Sequence, residues 1–277
     1  MAYRYPLAGK ELRVLAALPV LLVALSAGYV LWLPDVKEFK VKNPSATSFM
    51  RIKEGQARAQ GRRLGREMIW TPWDRISENL KHAVLVAEDD GFYLHKGVDW
   101  ESTRRAMAED LKKGRFAKGG STITQQLARN LYLSPSKNPL RKIKEILIAR
   151  RLEKALGKRR IFELYLNVAE WGKGVYGCGA AAQAYFGKSA ADLTPEEAAA
   201  LAAALPSPRR YNPAGGTRFM ERQKSRIVAR MRASGYLPDE TEDEDLQDSL
   251  EVVTSTEVTV TVAPAPADVI PSPVSRP

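Results

Sequence analysis

The longest feature in the hydrophobic pattern comes first. Residues 14–33, Val-Leu-Ala-Ala-Leu-Pro-Val-Leu-Leu-Val-Ala-Leu-Ser-Ala-Gly-Tyr-Val-Leu-Trp-Leu, form an uncharged run of 20. As a helix rising 1.5 Å per residue the run spans about 30 Å, the thickness of a bilayer core, and it predicts a transmembrane helix. Tyr29 and Trp32 stand near one end, where interfacial aromatics collect. The leader 1–13 carries Arg4, Lys10 and Arg13 against Glu11, which predicts a cytoplasmic N-terminus. The run is too long for a cleaved signal peptide, and Leu25-Ser26-Ala27 is a poor cleavage site.

Residues 34–76 are mixed and basic, with Trp70-Thr-Pro-Trp73 just ahead of a strongly helical region. Ser77 caps a helix in which Leu80, Val84 and Ala87 recur at helical spacing, ending near Gly91. Further helices are expected from about Asp99 to Gly114, and after Gly119-Gly120 with Ser121 as cap. Another runs from Asn138-Pro139 to Gly157 with Pro at its first position, and the next from about Arg159 to Asn167. A turn rich in glycine follows at 172–179. Thr194-Pro-Glu-Glu197 is a capping box opening an alanine-rich helix to about Leu205, and a basic helix runs from about Thr217 to Ser234. No strand pattern precedes Glu251, and the alternating run 253–262 stands alone in a tail, 238–277, expected to be disordered. The body, 77–237, is therefore expected to be all-α.

Charge sharpens this picture. The formal net charge is +11, but the first 238 residues hold 42 Lys/Arg against 22 Asp/Glu, a net of +20. Such a body seeks polyanions: nucleic acid, anionic lipid or a phosphate-bearing substrate. One cysteine, Cys178, excludes an intrachain disulfide, and two histidines make a protein-built zinc or Cys/His centre a poor expectation.

Candidate chemistry concentrates in four stretches. In Ala83-Val-Leu-Val-Ala-Glu-Asp-Asp-Gly-Phe-Tyr-Leu-His-Lys-Gly97 an apolar run meets Glu88, Asp89 and Asp90. A carboxylate at such an edge is poorly solvated, which raises its pKa toward the range useful for proton transfer. In Lys118-Gly-Gly-Ser-Thr-Ile-Thr-Gln-Gln-Leu-Ala-Arg-Asn130 glycines precede a helix whose free N–H groups suit a phosphate. Ser121, Thr122, Gln125, Gln126 and Arg129 add polar groups fitted to sugar or phosphate oxygens. Arg141 and Glu145 share a helix face at i, i+4, either as a surface ion pair or as a basic wall for a diphosphate. Glu163, within Arg160-Ile-Phe-Glu-Leu-Tyr-Leu-Asn167, reads as a structural group.

Taken in order, these stretches resemble the motifs of the bacterial peptidoglycan glycosyltransferases. Glu88-Asp-Asp-Gly-Phe-Tyr-Leu-His-Lys-Gly97 is similar to the first motif, Gly119 to Asn130 to the second, Arg141 to Glu145 to the third and Ile161 to Asn167 to the fourth. The likeness covers about residues 77–213 and points to the monofunctional biosynthetic members. The resemblance implies a lysozyme-like α-helical glycosyltransferase domain behind the single N-terminal transmembrane helix.

The resemblance also implies roles. Glu88 would take the proton from the 4-hydroxyl of the acceptor sugar of lipid II, and Glu145 would be the second glutamate of the catalytic site, important for the site rather than the main proton carrier. Ser121, Arg129 and Arg141, with Arg105, would hold the donor diphosphate. Thr122, Gln125 and Gln126 would line the substrate path, while Asp89, Phe92, His95 and Glu163 would support the site. Where Arg129 stands the family usually has lysine, so a planar fork replaces a point donor. The expected product is a β-1,4 glycan formed with inversion, made by an enzyme in the inner membrane whose catalytic domain is periplasmic. No cofactor is required, although a divalent cation, magnesium or manganese, could assist at the diphosphate. Partners would be lipid II, the nascent glycan, membrane lipids and cell-wall synthesis or division proteins, not nucleic acid. A lysozyme-like lytic enzyme and a non-catalytic basic scaffold are the rival readings. The first has no need of Arg105, Arg129 and Arg141, and the second leaves Glu88 unexplained.

Overall fold

The structure is a computed structural model describing residues 9–62, 65–112, 120–136 and 138–238, without the side chains of 9–16, 107, 110 and 111. The chain divides into two units, 1–236 and 237–277. The alternating run 253–262 and nearly all of the tail lie outside the described residues, as do Lys118 and Gly119.

Ten α-helices and three short strands follow in order among the described residues: α1 (Gly9–Leu31), α2 (Ser48–Ala59), β1 (Glu67–Met68), α3 (Glu78–Glu88), α4 (Trp100–Lys112), α5 (Ile123–Tyr132), α6 (Pro139–Ala155), α7 (Lys158–Val168), β2 (Glu170–Gly172), β3 (Val175–Tyr176), α8 (Cys178–Phe186), α9 (Pro195–Ala204) and α10 (Arg218–Ala233). The caps explain most boundaries. Ser77 Oγ accepts from Leu80 N at the start of α3, Asn138 accepts from Leu140 N at the start of α6, and Thr194 closes its box with Glu197 on α9.

The structure differs from the sequence reading in three places. The body is mostly helical but holds a small sheet of order β1-β3-β2, with β1 parallel to β3 and β2 antiparallel to it. Strands of two or three residues are too short to display alternation, so the pattern carried no trace of them. Helices α2 and α8 lie in segments that read as mixed sequence and as a glycine turn. The cap of α5 is Thr122 rather than Ser121: Thr122 Oγ1 accepts from Gln125 N, and Gln125 Oε1 accepts from Thr122 N.

Helix α1 contains residues 14–31 of the apolar run, with Pro19 inside it. Its described side chains begin at 17, and Leu21, Leu22, Val23 and Leu25 among them are exposed. Among the described residues no helix is long and apolar enough to cross a membrane.

Two helix groups make the core. Helix α5 packs on α6 and α7, and α3 packs on α9 and α10. Ile123 and Leu127 of α5, Ile148 and Leu152 of α6, and Ile161 and Phe162 of α7 are fully buried. Burying a side chain of this size contributes about 1.5–3 kcal/mol. Phe92, in the loop after α3, is also fully buried and sets its ring 5.4 Å from that of Phe162, tying that loop to α7.

The end of α7 anchors the segment leading into α3. Asn167 is fully buried; its Oδ1 accepts from Thr71 N and its Nδ2 donates to the carbonyls of Thr71 and Glu163. Glu163 accepts from Trp73 N and from Arg160 Nη1. Gly177 turns the chain into α8 at φ +83, and a Cβ there would stand 2.8 Å from the Asn167 carbonyl oxygen. Both the conformation and the space demand glycine.

Candidate active site

Glu88 is the last residue of α3, so its carboxylate emerges where the helix breaks at Asp89. Gln126 of α5 donates to Glu88 Oε2 at 2.7 Å. Burial raises the Glu88 pKa above the ordinary carboxylate range; the Gln126 hydrogen bond and the nearby Arg129 charge oppose that rise, and Asp89 adds to it. The sequence expectation rested on the apolar run Ala83–Ala87, and four of its five residues are buried.

Asp89 and His95 form the frame behind it. Asp89 Oδ2 accepts from Ile123 N, the first residue of α5, at 2.9 Å, and His95 Nε2 lies 2.9 Å from Asp89 Oδ1. Gly97 N donates to His95 Nδ1, so the ring proton sits on Nε2 and is given to Asp89. Thr122 Oγ1 donates to the Gly97 carbonyl. The loop 89–97 is thus stitched to the start of α5 from both sides, and the stitching sets the distance between Glu88 and the polar residues of that helix.

Glu88 lines one cavity, and its partner Gln126 lines a second. One of about 140 Å³ is lined by Glu88, Asp90, Asp99, Ser121, Thr122 and Arg230. The other, about 360 Å³, is lined by Phe49, Gln126, Arg129, Arg141, Tyr165 and Glu170. The Arg129 guanidinium has neither a hydrogen bond nor an ion pair to the side chain or backbone of any described residue. A half-buried guanidinium left in this state is arranged for an anion that arrives with a ligand.

Beyond it lies a closed ionic cluster. Glu145 is fully buried, with Arg141 Nη1 on Oε2 and Lys142 Nζ on Oε1, each at 2.6 Å. Lys142 also donates to Ser121 Oγ at 2.7 Å. Both Glu145 oxygens are occupied, so this carboxylate holds cations in place.

Several expected residues fall elsewhere. Gln125 is buried with its carbonyl in the capping box, which leaves Gln126 as the amide of this pair facing the cavity. Arg105 is exposed on α4, donates to Ser102 Oγ and lies 3.9 Å from Glu101; it lines neither of these cavities. Glu163 sits in the α7 anchor described above. Conversely, the sequence reading missed Lys142, Tyr165 and Arg230. Lys142 stands three residues before Glu145, a helical spacing that could have marked it. Arg230, which lies 3.2 Å from Asp90, comes from α10 and left no local signal. Among the described residues no group of three or more His, Cys, Asp or Glu is arranged to hold a metal ion.

Comparison with known proteins adds an independent line. The sequence model of the family described as Transglycosylase matches residues 55–232. A protein of Aromatoleum aromaticum named biosynthetic peptidoglycan transglycosylase is 50% identical over 226 residues, covering 81% of this chain and 94% of the relative. Proteins of the same name from Dechloromonas aromatica and Chromobacterium violaceum are 47% and 43% identical. The first match covers 69% of this chain and 83% of the relative, the second 82% and 99%.

Proposed function

The chain belongs to the transglycosylase family and is a peptidoglycan transglycosylase, and on that premise we propose that it polymerises lipid II, transferring the growing glycan from its undecaprenyl diphosphate. The acceptor is the sugar 4-hydroxyl of an incoming lipid II. Its oxygen bonds to C1 of the donor sugar as its proton passes to Glu88. The C1–O bond to the diphosphate breaks, and the electron pair leaves on the lipid diphosphate. Attack from the face opposite the leaving group inverts an α-linked donor to a β-1,4 product.

The observation that carries this reading is a desolvated carboxylate within the electrostatic reach of a half-buried guanidinium that has no ion pair among the described residues. Glu88, with its pKa raised, is a better base near neutral pH than a solvated glutamate. Arg129 and Arg141, on the wall of the larger cavity, neutralise charge where it develops on the leaving group. Glu145 fixes Arg141 and Lys142, and Lys142 orients Ser121. Arg129 keeps the cation that the family usually supplies as lysine.

Both substrates carry lipid tails, so an enzyme held at the membrane meets them in two dimensions. The uncharged run 14–33 and the exposed apolar side chains of α1 support a single-pass anchor with the catalytic body on the periplasmic side. Lys144 of α6 lies 4.1 Å from the Tyr29 ring, which supports the body sitting close to the end of that helix. The basic body suits an anionic lipid surface.

Incubation of the full-length protein with labelled lipid II tests the reading. Long glycan chains are expected. Shortening of preformed glycan instead would establish a lytic enzyme and overturn it.

A further inference from the structure

Tyr165 lies on α7, outside the set of groups used above, yet it is joined to the base through one residue. It is 1% exposed, and its hydroxyl donates to Gln126 Oε1 at 3.0 Å. The amide nitrogen of the same Gln126 donates to Glu88 Oε2 at 2.7 Å. We infer that Tyr165 is a positioning residue for the reaction: it fixes the Gln126 amide so that Glu88 Oε2 is held and Oε1 is the oxygen that meets the acceptor hydroxyl. The inference rests on the reading of Glu88 as the base.

The direction of each hydrogen bond follows from the chemistry of the groups. Burial pushes the Tyr165 pKa well above the ordinary phenol value, so the proton stays on the ring oxygen. Gln126 is the hydrogen-bond partner of that hydroxyl among the described residues. A primary amide has one acceptor end and one donor end, and the phenol claims the acceptor. Turning the amide over would bring its carbonyl against the Glu88 carboxylate and leave the phenol proton without an acceptor. Two buried polar groups would lose their partners at once.

The consequence for the base is specific. The Gln126 N–H favours the ionised form of Glu88 and opposes the rise caused by burial. It also occupies one of the two oxygens, so the incoming proton is directed to the other. Without Tyr165 the amide is free to rotate and to accept from a protonated Glu88, which favours the neutral acid. Among the described residues, the other charged groups facing this carboxylate are Asp89, Arg129 of α5 and, around the smaller cavity, Asp90, Asp99 and Arg230 of α10. Removing one hydroxyl from α7 changes none of their charges.

Rates of glycan formation from labelled lipid II, measured across pH with the full-length protein, test this. Tyr165→Phe keeps the buried ring. It should lower kcat about tenfold at neutral pH, leave KM within about twofold, and move the acid limb upward by about one pH unit. Gln126→Ala should move the limb in the same direction, and in that background Tyr165→Phe should add less than about twofold. An acid limb unmoved in Tyr165→Phe overturns the inference, as do effects that multiply in the double variant. Glu88→Gln separates the two levels of the argument. If it polymerises normally, the base assignment fails; if it is inactive while the limb of Tyr165→Phe stays put, only the role of Tyr165 fails.

Discussion

Lys142 Nζ lies 2.7 Å from Ser121 Oγ, joining the first turn of α6 to the residue that precedes the α5 cap. The same ammonium reaches Glu145 Oε1, whose other oxygen belongs to Arg141. The cluster therefore sets the spacing of a hydroxyl and two cations along one wall.

A neutral residue at 145 should loosen that wall without removing a proton carrier. Glu145→Gln leaves Arg141 and Lys142 without their carboxylate. The side chain of Lys142 is 40% exposed, so water recovers part of the loss. The stability cost is expected at about 2 kcal/mol, below the range for a fully buried pair. KM for donor should rise about tenfold or more while the pH dependence of kcat keeps its shape. Chemical denaturation and a pH–rate series check both halves.

Arg129 provides the charge test. Arg129→Ala should reduce kcat/KM by about a hundredfold or more, because it removes a cation from the water-poor wall where the leaving group gains charge. Arg129→Lys should recover to within about tenfold, since a point charge serves a phosphate although it lacks the planar fork. Equal losses in both variants would show that shape rather than charge matters there. Steady-state kinetics with varied donor concentration distinguishes the two.

The raised pKa of Glu88 also predicts an effect on stability. A carboxyl whose folded pKa lies above its unfolded value binds more protons in the folded state, so stability falls as pH rises through that interval. Above the interval the buried charge is a standing cost. Glu88→Gln should therefore raise Tm at neutral pH, with the gain shrinking as pH falls through the raised value toward the ordinary 4.5. Thermal melts of the two proteins at several pH values check the sign.

Gly177 offers a purely structural check. Gly177→Ala must hold φ +83 and place a Cβ 2.8 Å from a backbone oxygen of α7. The expected loss is about 1–3 kcal/mol of stability, read by urea denaturation. Because Asn167 also fixes the segment before α3, activity should fall along with stability.

Much of this was readable from local pattern. Glu88 announces itself by standing at the end of an apolar run, and the caps Ser77, Asn138 and Thr194 mark helix starts through side chains within three residues of the backbone they bind. What escaped the sequence reading depends on distance along the chain or on short elements. Tyr165 reads as an apolar α7 position, and only the fold puts its hydroxyl on Gln126, 39 residues away. Arg230 reaches Asp90 across 140 residues. Strands β1, β2 and β3 are set by pairing with one another, so no single segment carries their signal. Ser121 was misread as a cap because Ser and Thr stand side by side and either hydroxyl can serve.

The most direct test of the account is the initial rate of glycan formation from labelled lipid II by wild type and by Glu88→Gln, at neutral pH, with melts confirming that both are folded. The account predicts polymer from wild type and a loss of more than about a hundredfold in the variant, the scale of a missing general base. A Glu88→Gln protein that polymerises at the wild-type rate would contradict it.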